Sequence, residues 1–254
     1  MGALHAGHTS LFDHARKLAG PDGTVVATLF VNPTQFGPKE DLSRYPRPFE
    51  RDRHLCKTHG VDFLFAPQDG EMYPEGFSSW ANETSVSRGL CGGSRPGHFQ
   101  GVCTIVLKLF NICQPTHAVF GRKDLQQCAV IGRMVRDLNV PVRLVLGATV
   151  READGLALSS RNAYLSPVER SLAPGLYAAL QSARAAVRSG ERRAGVILAG
   201  LKKRISAIEG AHLDYATIVN RDSLEAVDTV TKGSVAAIAA FFGNTRLIDN
   251  VDLM

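Results

Sequence analysis

The chain has 254 residues, 44% of them apolar, and its 29 Lys+Arg against 24 Asp+Glu leave a formal charge of +5. That length suits one large domain or two smaller ones with a self-sufficient core, and five cysteines, odd in number and without a CxxC spacing, argue against a disulfide framework or the usual zinc and redox motifs. The longest apolar run, Val235 to Phe242, is far too short to cross a bilayer and no basic-then-apolar segment opens the chain, so the expectation is a soluble protein in a reduced, cytoplasmic setting.

In chain order, a helix is predicted from Ser10 to Leu18, followed by an apolar, β-branched strand over residues 24–31. A helix over 48–59 has proline in its first turn and Gly60 past its end, and a second buried strand runs over 61–66 to Pro67. Residues 101–113 read as a helix, 118–120 as a strand, 123–138 as a helix and 142–146 as a strand. Cys103, Cys113 and Cys128 fall in apolar stretches and read as small core residues. Wholly apolar strands alternating with helices predict an α/β fold, a parallel sheet covered on both faces, with ligands beyond the carboxyl ends of its strands. A long loop over 151–165 without regular structure leads to helices over 168–189 and 194–208 and strands over 213–219, 235–242 and 245–248. That order predicts a smaller C-terminal α+β domain, and we place the domains at residues 1–149 and 150–254.

The chemistry-bearing strings fall at the edges of this pattern. His5-Ala6-Gly7-His8 precedes a helix, whose N-terminus favours phosphate. Histidines three apart can face one side and donate N–H groups to phosphate oxygens, or can be a pair of surface residues. Phe120-Gly-Arg-Lys-Asp124 joins a strand to a helix, so Lys123 can neutralise phosphate as a compact charge; a solvated helix start capped by Asp124 is the plainer reading. In Leu158-Ser-Ser-Arg-Asn162, two hydroxyls beside Arg161 suit a triphosphate or pyrophosphate, or else belong to a linker turn. Gln35 and Gln127 can hold a small hydroxy acid through neutral amides, and Arg95 and His98 can serve an anionic substrate.

Together with Asp41-Leu-Ser-Arg-Tyr-Pro-Arg47 and Arg246-Leu-Ile-Asp-Asn250, these strings, including Met1-Gly-Ala-Leu-His-Ala-Gly-His8, Phe30-Val-Asn-Pro-Thr-Gln-Phe36 and Arg95-Pro-Gly-His-Phe99, resemble in order the signatures of the pantothenate synthetase family, the pantoate–β-alanine ligases of the HxGH nucleotidylyltransferase superfamily. The resemblance implies a Rossmann-like domain, a smaller C-terminal domain that closes over the site as a lid, a homodimer, and small-molecule partners rather than nucleic acid or membrane. It implies two steps: pantoate attacks the α-phosphorus of Mg2+-bound ATP to give pantoyl adenylate and pyrophosphate, and β-alanine then displaces AMP. Carried over by motif, Met1, Gly2, Ala3, Leu4, His5, Ala6, Gly7 and His8 would line ATP with His8 as proton donor. Gly121, Arg122, Lys123, Asp124, Val150, Leu158, Ser159, Ser160 and Arg161 would complete that site. His5, Lys123, Ser159, Ser160 and Arg161 would join His8 in catalysis. Gln35 would contact pantoate and β-alanine and Gln127 pantoate, with Asn32, Arg95 and His98 beside them. The chain departs from the pattern at Cys91, where glutamate is usual, at Arg122, where glutamate or glutamine is usual, and in beginning at Met1 without the strand and helix that precede this motif in the family. An open slot in the sheet, with lowered stability, is therefore expected. The alternatives are another HxGH nucleotidylyltransferase and an N-terminally truncated, inactive homologue.

Overall fold

The structure is a computed structural model, described here for residues 2–38 and 40–254. It divides into two compact units: residues 1–122 with 126–148, and residues 123–125 with 149–254. Among the described residues no helix is long and apolar enough to cross a membrane.

The first unit holds α1 (Ala6–Ala19), β1 (Val26–Thr28), α2 (Phe49–Thr58), β2 (Phe63–Phe65), the short helices α3 (Asp69–Met72) and α4 (Leu90–Ser94), α5 (His98–Cys113), β3 (His117–Gly121), nearly all of α6 (Leu125–Asp137), and β4 (Arg143–Gly147). Helix α1 starts at Ala6, not Ser10, because His5 caps it: its Nδ1 accepts from the Gly7 N–H at 3.1 Å. Leu4, Phe12, Ala27 and Cys56 form the cluster that seats α1 on β1 and α2. Helix α5 is apolar almost all round, and Val102, Cys103, Val106 and Phe110 are buried along it. Cys128 is buried as expected, but Cys113, the last residue of α5, is only half-buried.

The strands are parallel and flanked by helices, as predicted, and they are paired two by two, β1 with β2 and β3 with β4. No described strand joins the pairs. The apolar strand residues are accordingly more exposed than their sequence implies: Val26 is 41% and Phe63 65% exposed. The runs predicted over 24–31 and 61–66 shrink to three paired residues each, because a strand lasts only as long as its hydrogen-bonded partner.

The second unit holds α7 (Pro167–Leu172), α8 (Gly175–Arg188), α9 (Ala194–Ser206), β5 (Ala211–Asn220), β6 (Ser234–Phe242) and β7 (Thr245–Asp252). The single helix expected over 168–189 is broken between Leu172 and Gly175, where Pro174 removes a backbone donor. The three strands form an antiparallel sheet in the order β5-β6-β7. Strand β6 is central and apolar on both faces, with Ile238 and Phe242 fully buried. Leu176, Leu180, Ile197, Leu201 and Ile205 of α8 and α9 fill the core with Ile218 and Ile238. The segment predicted as an irregular loop is ordered: Arg151 and Ala157 form an antiparallel bridge, and Ser160–Tyr164 makes a 3-10 turn. Arg170 ties this hairpin to α7 through Asp154 at 2.6 Å and Glu152 at 2.7 Å.

Candidate active site

Each unit carries part of the motif set. In the first, the chain reaches α1 through Ala3, whose φ of 51° is the left-handed conformation that non-glycine residues resist. The buried carboxylate of Asp52 holds this approach by accepting from the Leu4 N–H at 2.8 Å. His5 and His8 then cap reciprocally, the His8 Nδ1 accepting from the His5 N–H at 3.3 Å. Their ring centroids are 4.1 Å apart. Since both rings accept at Nδ1, each neutral imidazole carries its proton on Nε2, so both present an N–H donor at a helix N-terminus. Met1 lies outside the described residues. Gly2, Ala3, Leu4, Ala6 and Gly7 form the strap and first turn around this pair. A cleft of about 250 Å³ opens beside Gly2 and is lined by Val31, Arg47, Asp52 and Asp69, but neither histidine nor Gln35 borders it.

Gln35 ends a 3-10 turn, Pro33–Gln35, packed against α5. The packing needs Gly101: a Cβ there would stand 2.6 Å from the Thr34 carbonyl oxygen. Buried Asn32 donates from Nδ2 to the Gly101 carbonyl at 3.1 Å and to Gln35 Oε1 at 3.3 Å. Its Oδ1 accepts from the Tyr73 hydroxyl at 2.8 Å and the Thr34 hydroxyl at 3.0 Å. Asn32 thus holds the Gln35 amide through its Oε1, and its own polar atoms are spent on the protein.

Arg95 and His98, expected at an anion, are committed to the same turn. His98 Nδ1 donates to the Gln35 carbonyl at 2.8 Å, and Arg95 Nη2 reaches it at 3.2 Å. Arg95 Nη1 lies 3.0 Å from His98 Nε2, and the guanidinium pairs with both oxygens of Glu40. A carbonyl only accepts, so His98 bears its proton on Nδ1 and takes Arg95's N–H at Nε2. Burial pushes the Glu40 carboxyl up, but the hydrogen bonds and charge of Arg95 outweigh it and hold the group below its ordinary value.

Gly121 ends β3 and its carbonyl accepts from Cys128 Sγ; Arg122 donates its N–H to the Gly147 carbonyl at 2.9 Å. Of two adjacent glutamines on α6, Gln126 is buried and donates to the carbonyls of Val86 and Gly89, while Gln127 is half-buried and its amide makes no hydrogen bond among the described residues. Cys91 is buried on α4, and Arg122 is half-buried.

In the second unit, Val150 accepts the Leu158 N–H at 3.0 Å, and Ser159 Oγ accepts the Arg161 N–H, opening the turn that contains Ser160 and Arg161. Asn162 donates to Glu152 and to the Ala157 carbonyl. Lys123 and Asp124 also belong here; the Lys123 ammonium makes no hydrogen bond or ion pair among the described residues. Among those residues no group of three or more His, Cys, Asp or Glu could hold a metal ion. Sequence reasoning missed Tyr73, Glu40, Asp52 and Gln126. Tyr73 meets Asn32 and Thr34, Glu40 meets Arg95, Asp52 meets Leu4 and Gln126 meets Val86 and Gly89 across 37 to 55 residues, and no local pattern marks these contacts.

The fold is α/β, and the paired histidines at the start of α1 are an arrangement suited to an enzyme that handles phosphate. The model of the family described as Pantoate-beta-alanine ligase matches residues 1–252, and the chain belongs to that family. It is 52% identical over 251 residues to the pantothenate synthetase of Geobacillus kaustophilus, covering 99% of this chain and 83% of that protein. It is 51% identical to that of Thermotoga petrophila, covering 100% and 89%. The crystal structure of pantothenate synthetase from Thermus thermophilus superimposes with a TM-score of 0.95 at 47% identity, over 100% of this chain and 91% of that one. Pantoate-beta-alanine ligase from Francisella tularensis, complexed with beta-gamma ATP and beta-alanine, matches with a TM-score of 0.79 at 30% identity, over 100% and 87%.

Proposed function

We propose that this chain condenses pantoate with β-alanine at the expense of ATP, through pantoyl adenylate. The observation that carries the reading is the His5–His8 pair, two Nε2–H donors fixed at the N-terminus of α1 by their own caps. A pantoate carboxylate oxygen attacks the α-phosphorus of ATP, the P–O bond to the β-phosphate breaks, and pyrophosphate leaves. The amine of β-alanine then attacks the acyl carbon, the amide bond forms, and AMP departs. The His8 and His5 donors meet charge that grows on phosphate oxygens in the first step and cost no reorganisation because they are already oriented.

In this reading the ATP residues of the first unit are Gly2 to His8, Gly121 and Arg122, and those of the second are Lys123, Asp124, Val150 and Leu158 to Arg161, with Lys123 and Arg161 balancing phosphate charge and Ser159 and Ser160 contributing polar contacts. The NH2 of Gln35 takes the carboxylate of pantoate or β-alanine, and the unengaged amide of Gln127 takes pantoate. Arg95 and His98 support Gln35. Mg2+ bound with ATP would neutralise phosphate charge, alongside the charges of Lys123 and Arg161. A homodimer in the cytoplasm belongs to the same reading, and sedimentation tests the dimer.

Exchange of labelled pyrophosphate into ATP tests the function. Exchange that requires pantoate supports it. Exchange without pantoate, or with an alcohol or nucleotide in its place, would assign the site to another nucleotidyl transfer, and no exchange would mean an inactive homologue.

A further inference from the structure

Lys123 is joined in sequence to β3 and α6, yet it groups with the second unit. The side-chain Nδ2 of Asn250 donates to the Lys123 carbonyl at 2.9 Å. Asn250 lies on β7, where it pairs with Ala237 of the central, almost wholly buried strand β6. Its neighbour Asp249 faces the opposite side of the strand and accepts the Asn250 N–H at 2.7 Å. Asp249 also takes a two-pronged ion pair from Arg151, at 2.6 and 2.9 Å, and the Arg151 guanidinium lies 3.7 Å from the Tyr177 ring centroid. The turn Ser160–Tyr164 packs on the same strand β7.

We propose that Asn250 is the positioning residue for Lys123: strand β7 sets where the lysine main chain stands, and thereby where its charge meets the phosphates during adenylate formation. The inference rests on the reading that Lys123 serves ATP. An asparagine suits the task because its amide donates to a carbonyl with one short side chain; aspartate offers only acceptors and alanine nothing. The Lys123 ammonium makes no hydrogen bond or ion pair among the described residues, and its charge acts on Asp249, so the hold on its main chain by Asn250 and the neighbouring Asp249 carboxylate set its place together.

The test is a double-mutant cycle in the full chain, read by pantoate-dependent pyrophosphate exchange and by melting temperature. In the otherwise native chain, Asn250→Ala and Asn250→Asp should lower kcat by roughly 10- to 100-fold, the scale of a misplaced catalytic group, with the pantoate KM nearly unchanged. In the Lys123→Ala background, Asn250→Ala should cost less than about twofold more. Equal losses in both backgrounds, or a loss that tracks a falling melting temperature, overturn the proposal. Lys123→Ala with unimpaired exchange overturns the underlying reading of Lys123 instead. Asn250→Ser, a smaller change, is carried through the same cycle if the alanine variant does not fold.

Discussion

His98 donates its Nδ1 proton to the main-chain carbonyl of Gln35 across 2.8 Å, joining the first residue of α5 to the last residue of a turn 63 positions earlier. Arg95 closes on the same carbonyl and on His98 Nε2, and Glu40 anchors Arg95. Gln35 is therefore held from its main chain by α5 and from its side chain by Asn32, which leaves its NH2 as the group that can meet a substrate.

His98→Ala should remove one of these holds, a hydrogen bond worth about 1 kcal/mol or roughly fivefold. The cost should appear in the KM for pantoate or β-alanine, with the KM for ATP unchanged. Steady-state kinetics with each substrate varied in turn would show it, and an equal rise in all three constants would mean a general loss of structure.

The Arg95–Glu40 anchor should make this region sensitive to acid. The folded Glu40 carboxyl sits below its ordinary value of 4.5, so the ionised form is favoured by folding. Its stabilisation is fully present above that ordinary value and is lost as pH falls through the lower, folded value. Thermal melts of the native chain and of Glu40→Gln should differ most near neutrality and converge as acid protonates the carboxylate. A gap that stays constant to about pH 3 would show that Glu40 is not the titrating anchor.

His8→Ala should slow adenylate formation by ~10²–10³-fold, the scale for one preorganised donor, while ATP binding changes little. Rapid-quench measurement of the single-turnover burst separates the two. His8→Ala also removes the acceptor for the His5 N–H, so His5→Ala is the useful companion: it abolishes the His5 side-chain cap and should add a loss of melting temperature.

Asp249→Ala should destabilise the second unit by ~3–5 kcal/mol, because it leaves the mostly buried Arg151 guanidinium without its carboxylate. Burial pushes the Asp249 carboxyl above its ordinary value against the pull of Arg151, so desolvation takes back much of what the pairing contributes. The double change Arg151→Met with Asp249→Leu should therefore cost far less than Asp249→Ala alone. Calorimetry of both variants decides this, and a double variant as unstable as the single one would show that the pair itself is strongly stabilising.

The local sequence determined the elements and the places where polar strings interrupt them. Apolar runs bounded by Gly, Pro and Asn marked the strands, Phe120-Gly-Arg-Lys-Asp124 fell at a strand-to-helix junction, and Leu158-Ser-Ser-Arg-Asn162 fell just after the first unit. These features are local because side-chain periodicity and backbone preferences act over a few residues. Only the tertiary structure decided which polar groups were committed and which were left over. Arg95, a candidate anion binder by sequence, pairs with Glu40, 55 residues away, and of the adjacent glutamines α6 buries Gln126 and leaves Gln127, the one picked out in the sequence, half-buried. The parallel strands, uniformly apolar in sequence, came out as two half-exposed pairs because pairing depends on neighbours distant in the chain. The hold on Lys123 has the same cause: its carbonyl meets Asn250, 127 residues on, and no local pattern records a hydrogen bond across that distance.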